Sequence, residues 1–377
     1  MIWIIVILAI LVVLALALGA LTILLARRVV MPGSPRVITI HETGDGTVTL
    51  QNDGKTDHAG QFGLWFGQDG HALIGPVLSR DPAAGTVTRQ ILTVTAGKLA
   101  AGEGRWTGHV FPHPRALERS VEDVDVSVAG GDAPAWLIRP QHPVRPETWA
   151  IHIHGVRTTR ITALRSVPAA DVLGYTSLVV SFRGDTEGPE VLNGASTLGL
   201  GEWPDVDAAI AYALAHGAQR VVLFAWSMGA SIALQLTEHS AHRDAIAGLV
   251  LIAPATDWRT AIRHGAQKAH LPRVLGSAAI HALQGRLSSR IVGLPFPIDF
   301  DALDFTRFAR LSVPALVIHS DGDQEIPVEL SRRFAAAHPG VVTLTEFPGA
   351  AHAWEYNVDA AGFNAAIVAW CQQQLTR

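Results

Sequence analysis

A serine at position 227 stands in a setting typical of an activated nucleophile. The motif Ala-Trp-Ser-Met-Gly occupies residues 225–229, between an apolar run that predicts a strand and the run 230–236 that predicts a helix. A sharp turn between strand and helix exposes a serine hydroxyl at the strand's end, and small flanking residues let neighbouring backbone pass. Ala225 stands where such motifs usually have glycine. The pattern predicts that Ser227 attacks an acyl group.

A serine hydroxyl is a weak nucleophile at neutral pH, so it needs a base, and the base needs a carboxylate to hold it. His352 lies in a loop between a predicted strand and the last predicted helix. Asp323 comes just past the end of another apolar strand, and Asp321 and Glu325 beside it are rival acids. Each rival can equally be a solvated loop carboxylate. The predicted catalytic residues are Ser227, His352 and Asp323.

The chain from about Val121 to its C-terminus resembles the α/β-hydrolase superfamily, and within it the membrane-associated serine hydrolases and the prolyl-oligopeptidase-like enzymes. In that superfamily the acid often lies in the pattern His-Gly-x-x-Asp-x-x-Val-Pro. The sequence fits this pattern at His319, Asp323 and Pro327, and departs from it where Ser replaces Gly and Ile replaces Val. The register therefore favours Asp323 as the acid.

The resemblance implies a mostly parallel sheet flanked by helices, with a helical cap over the active site. It also implies an oxyanion hole made by the backbone N–H groups of Met228 and Val156. Such donors lie where negative charge develops, and losing one costs on the order of a hundredfold or more in rate. The segment 183–185, Arg-Gly-Asp, resembles a loop that shapes the site in these enzymes, with a structural ion pair as the alternative.

A metal site is the competing explanation for two histidines. His152 and His154 form a His-x-His pair, but no third ligand lies nearby in sequence. The single cysteine, Cys371, cannot form an intramolecular disulfide and is interpreted as a small buried hydrophobe. We therefore predict neither a metal nor a cofactor.

The elements that must position these residues follow from the hydrophobic pattern. From about residue 115 strands alternate with helices, which predicts a mostly parallel sheet covered on both faces. A hairpin is expected around residues 130–131, and the segment 257–311 is expected to form the cap, which would select substrates. Further strands are predicted at 149–153, 178–182, 221–224, 249–252, 315–318 and 341–344, and helices at 204–214 and 359–373.

The N-terminus predicts a membrane anchor over residues 1–28. From Ile2 to Ala26 there is no charged residue, and about 20 such apolar residues cross a bilayer as a helix. A cleaved signal peptide is the alternative, but no basic residue precedes the apolar run. Arg27, Arg28 and Arg36 follow it, and the positive-inside rule then predicts a cytoplasmic catalytic domain on a single-pass anchor in the cell membrane. The Pro- and Gly-containing residues 31–35 predict a linker.

Residues 37–114 predict a small β-rich region before the hydrolase domain at 115–377. Gly and Thr are frequent, and Asp-Gly turn pairs separate short β-type runs. Trp65, Phe66 and Trp106 are expected to form its core, with an aromatic ligand-binding surface as the alternative. The region is too short for a large multi-blade propeller.

Composition narrows the class of partner. The net charge is −4, from 29 basic and 33 acidic residues, with no long basic run, so nucleic acid is not a predicted partner. The predicted partners are a small-molecule or peptide acyl substrate, and the membrane through the N-terminal helix. The predicted function is cleavage of an ester, thioester or amide through a Ser227 acyl-enzyme. A peptidase, an acyltransferase with the same triad, and a binding protein that keeps the fold without catalysis are the alternatives.

Overall fold

A computed structural model describes residues 2–33, 35–307 and 311–375. Ser34 in the predicted linker and residues 308–310 in the predicted cap lie outside the described residues. The described chain forms an N-terminal helix, a small closed barrel and a large mixed sheet with helices on both faces. The last two parts are joined at residues 107–120 by a loop and one short 3₁₀ turn.

The large sheet has eight strands in the order β14-β13-β12-β11-β9-β10-β8-β7. Its strands are β7 (Ser120–Val128), β8 (Gly131–Arg139), β9 (Thr148–Ile153), β10 (Thr176–Val180), β11 (Arg220–Trp226), β12 (Ile246–Ile252), β13 (Ala315–Ser320) and β14 (Val342–Phe347). Strands β9 to β14 pair in parallel, whereas β7 and β8 form an antiparallel hairpin at one edge. The central strands are apolar along their whole length because helices cover both faces. This is the sheet that the resemblance predicted.

Two apolar cores lie on the two faces of this sheet. The helices are α1 (Ile2–Val30), α2 (Val167–Val172), α3 (Trp203–Ala215), α4 (Met228–His239), α5 (Trp258–Lys268), α6 (Arg273–Gln284), α7 (Arg286–Val292), α8 (Val328–Ala337), α9 (Glu355–Val358) and α10 (Ala360–Gln374). Helices α5, α6 and α7 lie in the segment predicted to be the cap. Cys371, a residue of α10, faces the core and is buried, and burial raises the pKa of its thiol to about 12.

The N-terminal β-rich region is a closed barrel with the strand order β1-β2-β5-β4-β3-β6. Its strands are β1 (Ile38–Gly44), β2 (Thr47–Gln51), β3 (Phe62–Phe66), β4 (Gly70–Asp81), β5 (Thr86–Ala96) and β6 (Gly102–Thr107). Phe66 and Trp106 belong to its core, as predicted. The prediction for Trp65 was wrong: strand residues alternate between faces, so Trp65 points out of the barrel and packs against His71.

A buried arginine ties the barrel to the loop between β2 and β3. Arg89 is fully buried and lies over the rings of Phe62 and Trp106. Its guanidinium donates hydrogen bonds to the carbonyl oxygens of Thr56, His58, Gly60 and Gly75, at 2.6 to 2.9 Å. Five N–H donors satisfied by carbonyl groups compensate for the loss of hydration.

Helix α1 is long and apolar enough to cross a membrane, a test that a signal sequence also passes. Residues 2–20 are exposed, but the last turns of the helix pack on the hydrolase region, where Ala26 and Val30 are buried. The segment 31–35, predicted to be a linker, has no helix or strand among its described residues, and its start is held against the hydrolase region. Ser196 N–H donates to the Val30 carbonyl at 2.8 Å, and Arg157 Nε donates to the Met31 carbonyl at 3.1 Å.

Candidate active site

Ser227 lies in a strained turn between β11 and α4. Its φ of 53° and ψ of −114° are unusual for a residue with a side chain, and such strain is found where a site needs a particular orientation. The turn is held by the Ser227 N–H, which donates to the Ile252 carbonyl at 2.8 Å. A Cβ atom at position 229 would lie 2.6 Å from the Ile153 carbonyl oxygen, so the close approach of β9 requires glycine there.

His352 lies between Ser227 and Asp323. Its Nε2 is 2.8 Å from Ser227 Oγ, and its Nδ1 is 2.6 Å from Asp323 Oδ2. The three residues follow β14, β13 and β11, and the carboxyl ends of parallel strands meet at one edge of a sheet. The structure therefore brings together all three residues that the sequence predicted as catalytic.

The Asp323 carboxylate is fully buried, and both of its oxygens accept hydrogen bonds. Oδ1 accepts hydrogen bonds from the N–H groups of Glu325 at 2.8 Å and Ile326 at 2.9 Å. Oδ2 lies 3.0 Å from His319 Nε2 in addition to His352. His319 is in turn 2.6 Å from Ser331 Oγ through Nδ1. His319 therefore helps to hold the Asp323 carboxylate in the orientation that reaches His352.

The two rival acids point elsewhere. Asp321 is exposed, and its side chain accepts a hydrogen bond from the Gly349 N–H at 2.9 Å. Glu325 is also exposed and forms an ion pair with Lys55 of the barrel at 3.1 Å. Neither carboxylate is hydrogen bonded to His352; both support loops around it.

The electrostatics of the site favour an ionised Asp323 beside a protonated His352. Burial lowers the pKa of His352, but the charge and hydrogen bond of Asp323, with Glu325 and Glu355, outweigh it and raise this pKa to about 9. Burial acts to raise the pKa of Asp323, yet the two histidines hold it well below its usual range. Glu355, three residues after the histidine, is fully buried, and burial raises its pKa to about 8.

The loop after β9 lies against the serine turn. A Cβ atom on Gly155 would lie 3.1 Å from Ser227 Cβ, so the backbone at this point is in van der Waals contact with the nucleophile. Val156 follows, and Met228 follows Ser227 on the other side as the first residue of α4. Val156 and Ser227 line one cavity with His352. Val156 and Met228, the residues predicted to form the oxyanion hole, therefore both lie close to the nucleophile in the fold.

The remaining candidate residues from the sequence lie in buried hydrogen bonds and ion pairs. His152 is buried and lies within hydrogen-bond distance of the Ser166 and Ser177 hydroxyls, at 2.8 and 3.0 Å. His154 Nε2 is 2.9 Å from Asp185. Arg183 pairs with Asp205 at 2.5 Å, so the Arg-Gly-Asp segment forms structural ion pairs. No group of three or more His, Cys, Asp or Glu residues suited to a metal ion occurs within the described parts of the chain.

A cavity of about 530 Å³ opens in front of Ser227 and His352. Its lining is mostly apolar and comes from three directions: helix α1, helices α5 and α6, and the loop that carries Glu325. The α1 side consists of Leu25, Arg28 and Val29. Sequence reasoning missed these residues, because a hydropathy pattern identifies a span but not what its end touches.

The barrel holds the loop that carries His352. Trp354 packs edge-on against Phe62, with ring centroids 4.7 Å apart. Asn357 donates to the carbonyl groups of Gln61 at 2.7 Å and Gly108 at 3.1 Å, while its own side-chain oxygen accepts from Arg165 at 2.6 Å. The barrel thus packs directly against the segment after His352. No motif in residues 37–114 signalled this contact.

The sheet order, the serine turn and the Ser–His–Asp arrangement are those of a serine hydrolase of the α/β type. Residues 142–366, more than half of the chain, match the family described as the alpha/beta hydrolase family. The chain belongs to that family, which confirms the predicted fold and supports a hydrolytic activity. Residues 39–107 match a domain of unknown function, DUF8805.

Solved structures show the same fold. The Pyrococcus furiosus esterase Pf2001 is 19% identical and superposes with a TM-score of 0.52, covering 70% of this chain and 96% of the esterase. A second crystal form of that esterase gives the same identity and TM-score, covering 70% of this chain and 93% of the esterase. No curated protein sequence matches the chain. These likenesses establish the architecture and leave the substrate to be argued from the site.

Proposed function

We propose that this protein is a serine hydrolase that cleaves acyl esters through a Ser227 acyl-enzyme. The observation that carries the proposal is the pair of short contacts from His352, 2.8 Å to Ser227 Oγ and 2.6 Å to Asp323 Oδ2, at the mouth of an open cavity. This is the geometry in which one imidazole accepts the serine proton while a carboxylate stabilises the resulting imidazolium.

The reaction has two halves. Ser227 Oγ attacks the ester carbonyl carbon as His352 takes the proton, and the N–H groups of Val156 and Met228 stabilise the oxyanion. The carbon–oxygen bond to the alcohol then breaks, and His352 returns its proton to the leaving alcohol. Water then attacks the carbonyl carbon of the acyl-enzyme while His352 takes a proton from it. The bond between this carbon and Ser227 Oγ breaks, His352 returns the proton to Ser227, and the acid is released. Asp323 keeps the imidazole in the productive orientation throughout.

The cavity lining favours an acyl chain over a peptide. Apolar side chains from α5 and α6 line the cavity beside the nucleophile, including Ile262, Leu275 and Ala279. A peptide backbone would need hydrogen-bond partners along such a wall, whereas an acyl chain needs none. An ester or thioester of a fatty acid is therefore the proposed substrate class, and cleavage of a peptide amide is the less favoured reaction.

A fluorophosphonate probe tests the nucleophile directly, since it reacts with activated serines. We expect the folded protein to be labelled, Ser227→Ala not to be labelled, and Ser79→Ala, which removes an exposed barrel serine, to be labelled like wild type. If folded wild type is not labelled, and p-nitrophenyl acetate is not cleaved either, the chain is better explained as a binding protein that keeps the fold.

We further propose that α1 anchors the protein in the cell membrane, with the hydrolase region on the cytoplasmic side. The support is the uncharged run 2–26 followed by Arg27 and Arg28. Carbonate extraction of membranes should leave the protein in the pellet. Protease added to the cytoplasmic side of sealed vesicles should digest the hydrolase region, and protection from that protease would reverse the orientation.

A further inference from the structure

We infer that the end of helix α1 is part of the substrate-binding site, and that this site takes up an acyl chain from the bilayer that α1 crosses. The substrate class is then a glycerolipid ester of the enzyme's own membrane. The inference rests on the proposed function, because it needs Ser227 to cleave an ester. It adds where the acyl chain lies and where it comes from.

The first observation is the position of the anchor beside the nucleophile. Leu25 and Val29 of α1 line the same cavity as Ser227 and His352. The opposite wall is helix α6, which packs against α1 and contributes Leu275 and Ala279 among others. An acyl chain bound to the reacting carbonyl would therefore lie between α1 and α6.

The anchor's end is fixed to the loop that would hold the oxyanion. Arg157, the residue after Val156, donates hydrogen bonds to the Val29 carbonyl at 3.0 Å and the Met31 carbonyl at 3.1 Å. Arg27 donates to the Val292 carbonyl at the end of α7, at 3.0 Å. These contacts fix the position of the end of α1 relative to the loop beside Ser227. A wall held in a fixed position can select substrates by the length of the acyl chain.

The second observation is the depth at which the cavity would lie. Residues 2–20 are exposed along their whole length, and nineteen helical residues span ~28 Å. A bilayer's hydrocarbon core is about 30 Å thick. If residues 2–20 fill that core, its surface passes close to the turns where α1 meets α6. The cavity between the two helices then opens at the level where lipid ester groups lie.

The third observation is the character of the helices around α1. Val274 on α6 and Leu287 and Ile291 on α7 are 69%, 73% and 58% exposed, although all three are apolar. The stretch 258–292 contains six Lys or Arg residues and no acidic residue, in a chain whose net charge is −4. Exposed apolar side chains among basic ones suit the headgroup region of an anionic bilayer. This face would rest on the membrane beside the anchor.

The contribution of α1 to the substrate site can be tested by narrowing the cavity from the α1 side. Leu25→Trp places a bulky ring in the cavity, and Leu24→Trp, one residue earlier on the exposed side of α1, is the matched control. In full-length protein in detergent micelles, we expect Leu25→Trp to lower the ratio of kcat/KM for p-nitrophenyl decanoate to that for p-nitrophenyl acetate by about tenfold or more. The control should keep the wild-type ratio.

Leu25→Ala keeps the inference testable if the tryptophan variant does not fold. It changes the same position in the opposite sense, because it enlarges the cavity. It should move the optimum chain length of p-nitrophenyl esters upward. Equal ratios in wild type, Leu25→Trp and Leu25→Ala would overturn the inference while leaving the hydrolase intact. Failure of wild type to cleave p-nitrophenyl acetate would instead remove the proposed function, and this inference with it.

The source of the acyl chain needs its own test. Full-length protein is reconstituted in phosphatidylcholine–phosphatidylglycerol vesicles, with dioleoylglycerol labelled in its acyl chains either in the same vesicles or in separate protein-free vesicles. We expect labelled oleate to be released when substrate and enzyme share a vesicle, and at least tenfold more slowly when they do not. Equal rates, or release only from substrate dissolved in water, would show that the chain does not enter from the enzyme's own bilayer.

Discussion

The carboxylate of Asp323 accepts hydrogen bonds from two imidazole rings and two backbone N–H groups. Asp323→Asn keeps the shape but presents an amide to His352 Nδ1, which favours the wrong tautomer of the base. We expect kcat for p-nitrophenyl acetate to fall by about 10⁴-fold. Steady-state kinetics with active-site titration would measure this loss.

The neighbouring acid supplies the control for that experiment. Asp321 is exposed, and its carboxylate accepts a hydrogen bond from the loop N–H of Gly349. Asp321→Asn should therefore change kcat by less than about threefold. If Asp321→Asn were the more damaging of the two, the assignment of the acid would be wrong.

The raised pKa of His352 has a consequence for pH dependence. The base works only when neutral, and its pKa is raised to about 9 because the Asp323 charge outweighs burial. We expect kcat/KM to increase with pH and to reach half its plateau well above 6.5, the ordinary value for histidine. Glu325→Gln removes one of the charges that raise this pKa, so its midpoint should lie lower. A midpoint at or below 6.5 in wild type would contradict the proposed electrostatics.

At the scale of elements, the barrel and the hydrolase sheet meet at the loop that carries His352. Asn357 donates to two carbonyl groups of the barrel region, that of Gln61 just before β3 and that of Gly108 just after β6. Asn357→Asp keeps the volume but leaves both carbonyls facing a carboxylate. We expect the free energy of unfolding, measured by urea titration, to fall by about 2 to 4 kcal/mol.

An exposed amide gives the matched comparison for that change. Gln68 lies in the turn between β3 and β4, and Gln68→Glu should shift the free energy of unfolding by less than about 0.5 kcal/mol. Should the two variants prove equally stable, the barrel would not be what secures the segment after His352.

Some of these elements could be predicted from the sequence and some could not. Ser227, Asp323 and His352 each follow a predicted strand, and strands of a parallel sheet end at a common edge, so local patterns brought the three loops together. The choice of Asp323 over Asp321 and Glu325 needed the family pattern as well. Trp65 was misplaced because an aromatic residue in a short strand can face either side until the register is known. Arg89 in the barrel core has no sequence signal, since its five hydrogen bonds go to four backbone carbonyls, and a carbonyl group is present at every residue whatever its side chain.

At the scale of the whole molecule, α1 divides into two parts with different surroundings. Residues 2–20 are exposed, whereas Ala26 and Val30 are buried against the hydrolase region. Deleting residues 2–20 should yield protein that stays in solution without detergent and keeps its Tm. Deleting residues 2–33 should lower Tm by about 5 °C or more, because it exposes the apolar surface under the last turns. Differential scanning fluorimetry of the two truncated forms measures the difference.

The dependence of kcat/KM on the acyl-chain length of p-nitrophenyl esters adds a second readout to the truncation. The shorter deletion keeps Leu25 and Val29 in the cavity wall, so its chain-length profile should match that of the full-length protein. The longer deletion removes that wall. Identical Tm values and identical profiles for both forms would mean that the last turns of α1 contribute nothing to the domain.

The contact between Arg27 and the Val292 carbonyl joins residues 265 positions apart. During synthesis the N-terminal segment leaves the ribosome first, and its partner helices follow only after most of the chain has been made. Contacts of such long range form late and slowly, and an apolar helix left in water meanwhile would aggregate. A bilayer that already holds residues 2–20 removes that hazard and keeps the free end of α1 at a fixed place. If α1 is inserted in a membrane as we propose, the hydrolase region folds onto the end of an anchored helix, and newly made full-length chains should acquire activity only after insertion.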